Sequence, residues 1–266
     1  REVMVVGRGG GHSPPEKPTG ISMVDATDGK TLWTLPLPKF MSTMTYNLVG
    51  DDILVFDAGN HLWIDAFSGK VKRQASIVKD VSVRLNVLAG VYHYFRSYTE
   101  PWLGRVDSRT GRVEYLQLPV QMRPASERQK DELLWGPKDM DAKVLDALVR
   151  ARKKPATLPI TKWAFKENDM KDANGNVVMG DQRSMGNGWG HHASQLPTVI
   201  GDCLYVPTMA GTVYVIQWDC ETLDEDAIVA INDLGPVGES WNRASLSFAN
   251  DSLFAHTIDG LICIGD

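Results

Sequence analysis

The chain has 266 residues, 43% apolar, 8% aromatic and 23% charged, which supplies an ample core and excludes disordered and collagen-like classes. Lys plus Arg number 28 against 33 Asp plus Glu, and the net charge of −5 gives no field favouring nucleic acid or anionic lipid. Cys203, Cys220 and Cys263 fit neither zinc nor thioredoxin spacing and allow at most one bridge, and no apolar stretch approaches the ~18 residues of a transmembrane segment.

The chain starts at Arg1 and runs directly into Val3-Met4-Val5-Val6, so an upstream segment is expected to precede it. The first strand leads into Gly7-Arg8-Gly9-Gly10-Gly11, a mimic of a dinucleotide fingerprint; Pro14, Pro15 and Pro18 block the helix that would hold a pyrophosphate, and a loop between two strands is predicted. A unit then recurs: a strand ending in Asp, a tight turn closed by Gly-Lys or Gly-Arg, and a further strand. Its copies are Gly20 to Trp33, Leu62 to Val71 and Gly104 to Val113, with Asp25, Asp65 and Asp107 spaced by 40 and 42 residues. Asp caps each turn through its carboxylate, Gly accepts positive φ, and alternating apolar residues make the flanks an antiparallel hairpin.

Between the copies, strands are predicted at Thr43 to Val49, Asp52 to Asp57, Val83 to Ala89 and Val91 to Arg96. After Asp107 comes an insertion. Ser126 with Gln129 resembles a capping box, and Met140, Val144, Leu145, Leu148 and Val149 form a helical stripe ending before Pro155. Asp172 to Asn176 reads as a hairpin turn; Val177 and Arg183 stand where an EF-hand needs Gly and Glu, so a calcium loop is excluded. Gln182 to His192, rich in glycine, reads as a mobile or ligand-shaped loop. Strand pairs resume at Ser194 to Ile200 with Cys203 to Pro207, and at Ala244 to Phe248 with Leu253 to Thr257. A degenerate fourth unit spans Gly211 to Thr222, with Leu223 in place of the glycine, and a fifth begins at Gly260.

Four strands in roughly 40 residues is the period of a β-propeller blade. The expected fold is all-β, with four to five four-stranded antiparallel blades, the first lacking its innermost strand and the last its outermost. One domain is expected: blades in 1–118, a partly helical insertion in 119–187, and blades in 188–266.

The element Asp-Ala-x-x-Gly-Lys-x-x-Trp, complete at Asp25 to Trp33 and partial at Asp65 and Asp107, resembles the repeat of the PQQ-like, or quinoprotein alcohol dehydrogenase-like, β-propeller superfamily. Tyr205 to Val215 and Ser240 to Phe248 are similar to a group of large secreted PQQ-like proteins of planctomycete-type bacteria. The resemblance implies a ring of seven or eight blades and a periplasmic or secreted location. It implies either quinone-dependent dehydrogenation, with PQQ and calcium as cofactors, or a non-catalytic scaffold such as the outer-membrane assembly lipoprotein. No two cysteines are neighbours here, whereas the alcohol dehydrogenases carry an adjacent pair, and no motif matches their calcium-binding Glu, Asn and Asp set.

In a propeller, the loops leading into each innermost strand and those joining the second and third strands gather at one rim. That scheme collects Arg8 to His12, Arg96, Tyr98, Trp102, Trp189, His191, His192, Trp241, Asn242 and Arg243, convergent aromatic and hydrogen-bonding groups suited to a ligand. Two readings stand side by side: a ligand site, or side chains that plug the channel and pair with carbonyls. Adjacent histidines on a strand point to opposite faces, so His191 and His192 do not readily share a metal, although either suits a metal-assisted hydrolase. His12, His61, His93 and His256 read as scattered structural histidines. The favoured function is a non-catalytic binding or scaffolding propeller of the bacterial cell envelope, with a protein or saccharide partner. The alternative is a PQQ-dependent dehydrogenase whose quinone would stack on Trp189 or Trp241, with Arg243 or Arg96 on its carboxylates.

Overall fold

The computed structural model describes residues 2–9, 19–37, 45–57, 59–77, 85–96, 102–118, 195–208, 211–235, 242, 244–257 and 260–265. Among them, five antiparallel sheets follow one another, each built from strands consecutive in sequence. Blade 1 holds β1 (Val3–Arg8), β2 (Gly20–Asp25) and β3 (Thr31–Pro36); blade 2 holds β4 (Asn47–Val49), β5 (Asp52–Asp57), β6 (Asn60–Asp65) and β7 (Val71–Ser76). Blade 3 holds β8 (Asn86–Ala89), β9 (Tyr92–Arg96), β10 (Trp102–Asp107) and β11 (Val113–Gln117). Blade 4 holds β12 (Thr198–Ile200), β13 (Cys203–Pro207), β14 (Thr212–Gln217) and β15 (Ile228–Asp233); blade 5 holds β16 (Ser247–Ala249), β17 (Ser252–Thr257) and β18 (Gly260–Ile264).

Blade 1 has no innermost strand and blade 5 no outermost one among the described residues, as the repeat pattern predicts. The insertion helix, the Asp172 to Asn176 turn and the Gln182 to His192 loop lie outside the described residues. No helix among the described residues is long and apolar enough to cross a membrane. The three cysteines are free thiols.

The repeated turn forms as its residues dictate. Asp25 Oδ1 accepts from Thr27 N at 2.8 Å, Asp65 Oδ1 from Ser68 N at 2.7 Å, and Asp107 Oδ1 from Arg109 N at 2.8 Å. The closing Gly29, Gly69 and Gly111 take φ of 74°, 69° and 82°, where a Cβ is strained. In the fourth unit, Leu223 cannot make that turn and is instead buried between blades 3 and 4. The connection lengthens, and a short 3-10 turn at Glu225–Ala227, capped by Asp224 through Asp226 N, starts the outer strand.

Successive blades are docked by tryptophans. Trp33 Nε1 donates to Ala66 O at 2.9 Å, and its ring lies so close to Gly69 that a Cβ there would stand 2.6 Å from it. Trp63 Nε1 donates across the next junction to Ser108 O at 2.8 Å, and the Trp218 ring covers Gly90 at the one after.

Period-two alternation gives the blades apolar faces, and blades 2, 3 and 4 bury both of theirs against neighbouring blades. Ile53, Val55, Leu62 and Ile64 of blade 2 pack on Ile21 and Met23 of blade 1. Leu54, Phe56 and Trp63 face Phe95, Trp102 and Val106 of blade 3. Tyr94, Leu103 and Leu116 meet Leu204, Val206, Tyr214 and Ile216 of blade 4. Inner strands lie side by side, β8 touching β12 and Thr198 Oγ1 donating to Leu246 O at 2.8 Å, so the sheets are arranged as a propeller.

Candidate functional site

The antiparallel registers put the ends of the second strands, the starts of the third and the starts of the first at one end of every blade. Arg8, Arg96, Trp102 and Asn242 of the sequence-predicted rim are described there; residues 10–12, Tyr98, Trp189, His191, His192, Trp241 and Arg243 lie outside the described residues.

Arg96 closes β9 and crosses to blade 4, where Nη1 donates to Pro207 O. It is fully buried, and desolvation lowers its pKa to about 9, so the guanidinium stays charged near neutrality. Trp102 opens β10 and is buried, with Phe95 at 5.7 Å and 81° and Tyr115 at 5.6 Å and 84° packed edge to face. Its Nε1 has no hydrogen-bond partner among the described residues.

Asn242 bridges to Thr257 of β17, extending the inner edge of blade 5 toward the rim. Gln195, which the sequence reading passed over, precedes β12 and reaches across with its Nε2 to Asn242 O. Asn242 Oδ1 accepts from Ala244 N at 2.9 Å, which fixes the amide and turns Nδ2 away from that turn. Both residues are buried, and among the described residues Gln195 Oε1 and Asn242 Nδ2 have no partner.

His61 and His93, read from sequence as separate, meet between blades 2 and 3. His61 Nε2 and His93 Nδ1 are 2.8 Å apart, and His93 Nε2 is 2.8 Å from Asn86 Oδ1. Asn86 Nδ2 is turned to Thr45 O at 3.4 Å, so Oδ1 faces the ring and His93 carries its hydrogen on Nε2. Its Nδ1 then accepts from His61 Nε2–H. Asn47 Nδ2, 2.9 Å from His93 Nε2, donates instead to Asn86 Oδ1 at 3.0 Å. Burial lowers the His61 pKa to about 3, with the Arg73 cation adding to the effect, and burial drives His93 well below its ordinary range, His61 contributing. Both rings are neutral at physiological pH. Only tertiary register brings positions 61 and 93 together, since the rings sit on strands of different blades; the cue open to sequence was that each faces the same side as Phe56 or Phe95.

A second junction is clasped by Arg105. Its guanidinium donates to Glu114 at 2.8 Å, Cys220 O at 2.8 Å and Glu221 O at 3.0 Å, and it stacks 4.0 Å over Tyr92. Desolvation opposes its charge, but the bonds to Glu114 and Tyr94 outweigh it and raise the pKa.

Between blades 4 and 5 the packing is looser. Val213, Leu246 and Ala255 are buried, and a cleft of about 600 Å³ opens beside them, lined by Tyr205, Val215, Ala230, Phe248, Leu253 and Ile264 among others.

No protein-family model matches the chain, and no curated protein matches its sequence. Among solved structures, BamB from Moraxella catarrhalis is similar at 14% identity over 91% of this chain and 65% of its own, with a TM-score of 0.41. The computationally designed Ika8 protein is similar at 10% identity over 94% of this chain and 54% of its own, with a TM-score of 0.45. The chain therefore spans less than two thirds of either protein's length.

Proposed function

We propose that the chain is part of a non-catalytic binding or scaffolding propeller of the bacterial cell envelope, built on PQQ-like repeats and presenting its rim to a protein or saccharide. The observation that carries this reading is where the chemically versatile side chains of the described residues sit. His61 and His93 are desolvated, neutral and bonded to each other; Arg96 and Arg105 are buried on backbone carbonyls of the next blade. Groups that serve as bases or anion clamps in enzymes here join one blade to its neighbour. The Asp-capped turns and the Trp33 contact with Gly69 support the repeat type.

Titration of the full-length protein with PQQ and calcium, followed by quinone absorbance and melting temperature, tests the reading. A binding propeller gives a flat response. A cofactor at 100 times its Kd would add about 2.7 kcal/mol and raise the melting temperature measurably, and that result would favour the dehydrogenase.

A further inference from the structure

We infer that the outer edge of blade 5 docks an extended segment of a partner protein, which adds to β18 as an antiparallel fourth strand and seats apolar side chains in the cleft beside it. β18 is the third strand of its blade, and in blades 2, 3 and 4 a fourth strand flanks the third. Blade 5 has none among the described residues. Backbone N–H and C=O groups of an antiparallel strand alternate between its two neighbours, so the outer side of β18 offers a ladder for pairing. That side is also unguarded. Its residues Gly-Leu-Ile-Cys-Ile include neither the charge nor the proline that protects an exposed edge, whereas the edge strand β7 carries Lys72 and Arg73.

The complete blades specify what the added strand looks like. Ile64, Val106 and Ile216 hold equivalent places opposite Ile53, His93 and Leu204 of the second strands, and each is 0% exposed. On their other side stand Val71, Val113 and Ile228 of the fourth strands, a β-branched residue every time. Ile264, opposite Leu253, is the counterpart in blade 5, and it is 50% exposed at the wall of the cleft. Further along, Tyr115 and Ile231 stand beside Gly104 and Tyr214 and pack into the junctions between blades 2 and 3 and between blades 3 and 4. The counterpart in blade 5 lies beside Ile262, on the face that Ile264 shares.

Charge completes the pattern. Lys72 of β7 pairs with Asp52, which opens the second strand of its own blade, at 2.6 Å. In blade 5 the second strand opens at Ser252, and the carboxylate at that end is Asp251, which lines the cleft; no lysine or arginine does. The partner segment therefore starts with a basic residue and continues with apolar residues at alternate positions. Arg112, Val113 and Tyr115 of this chain have that arrangement.

The inference goes beyond the rim reading and stands apart from it: PQQ binding would sink the scaffold reading and leave this edge untouched. The probe is a fluorescein-labelled peptide of residues 110–118, offered to the full chain, with polarisation reporting binding and hydrogen exchange reporting β18. Saturable binding is expected, with about tenfold slower exchange of the outward β18 amides. A peptide carrying Val113→Ser and Tyr115→Ser should bind at least about tenfold more weakly, because two apolar side chains lose their burial. In the protein, Ala230→Leu narrows the cleft; it should weaken the unaltered peptide about tenfold while the melting temperature stays level or rises. The inference is overturned if the peptide does not bind, if it binds without slowing β18 exchange, or if either the peptide or the protein substitution leaves binding intact. Outward β18 amides that already exchange slowly in the chain alone would also overturn it. Slow exchange at every protein concentration would mean that the chain covers its own edge, and slowing that grows with concentration would mean a second copy.

Discussion

The junction between blades 2 and 3 and the junction between blades 4 and 5 are built from equivalent antiparallel sheets and solve the same problem differently. Adjacent blades diverge outward, leaving a wedge of space. At the first junction, Phe56, Trp63, Phe95, Trp102 and Tyr115 fill the wedge, rings edge to face, with Gly104 letting Phe95 lie flat on the backbone: a Cβ there would be 2.4 Å from its ring. At the second, Val213, Leu246 and Ala255 form a thin buried layer, the cleft remains, and Phe248 and Ile264 are about half exposed. Side-chain volume decides whether a propeller junction is a core or a groove.

The sharpest way to separate the two junctions is acid, because only the first contains buried histidines among the described residues. An imidazole whose folded pKa lies below its unfolded value of 6.5 binds its proton more readily in the unfolded chain. Stability is therefore full above pH 6.5 and falls as pH drops toward the folded value, about 3 for His61 and also depressed for His93. For His61 the loss is about 1.4 kcal/mol per pH unit, or about 2 kcal/mol between pH 6.5 and 4.5, and His93 adds to it in the same direction. Urea unfolding across that range should show this slope in the wild type and lose it in a His61→Phe, His93→Leu double variant. A slope that persists in the variant would place the acid sensitivity elsewhere.

Truncating a ring comes next. Phe95→Ala should cost about 4 kcal/mol, since Phe56, Trp102 and Tyr115 all pack on that side chain, whereas Val213→Ala at the looser junction should cost about 1 kcal/mol. Equal costs in denaturant melts would erase the distinction.

The smallest effect carries the most specific sign. Ala75 and Ala230 occupy outer strands of blades 2 and 4, each turned toward the following blade. Ala230→Leu should fill part of the cleft and stabilise by about 1 kcal/mol. Ala75→Leu should overpack the aromatic junction and destabilise by about 1–3 kcal/mol. Opposite signs in paired thermal melts are the expected result.

What sequence made legible was local. An Asp, three intervening residues and a Gly encode a turn within one unit, and Asp25, Asp65 and Asp107 make it with the hydrogen bonds that their carboxylates predict. Blade period and the missing inner and outer strands followed from counting such turns. Strand starts were less legible: among the described residues β8 begins at Asn86 and β12 at Thr198, with Leu85 and residues 195–197 outside the strands expected to hold them. The site was less legible, because its partners come from different blades. His61 meets His93 and Gln195 meets Asn242 through the stacking of sheets, which no spacing along the chain encodes. Asn242 was found because it sits at a rim loop, while Gln195 had no flanking motif to mark it.

The docking tryptophans make the propeller report on itself optically. Trp33, Trp63 and Trp218 lie at three successive junctions, each indole nitrogen bonded to a named carbonyl, at Ala66, Ser108 and Gly201. Opening the first two junctions breaks the Trp33 and Trp63 bonds, and opening the third lifts the Trp218 ring off Gly90 while its bond within blade 4 stays, so emission from variants that retain a single one of the three would show in what order the blades separate.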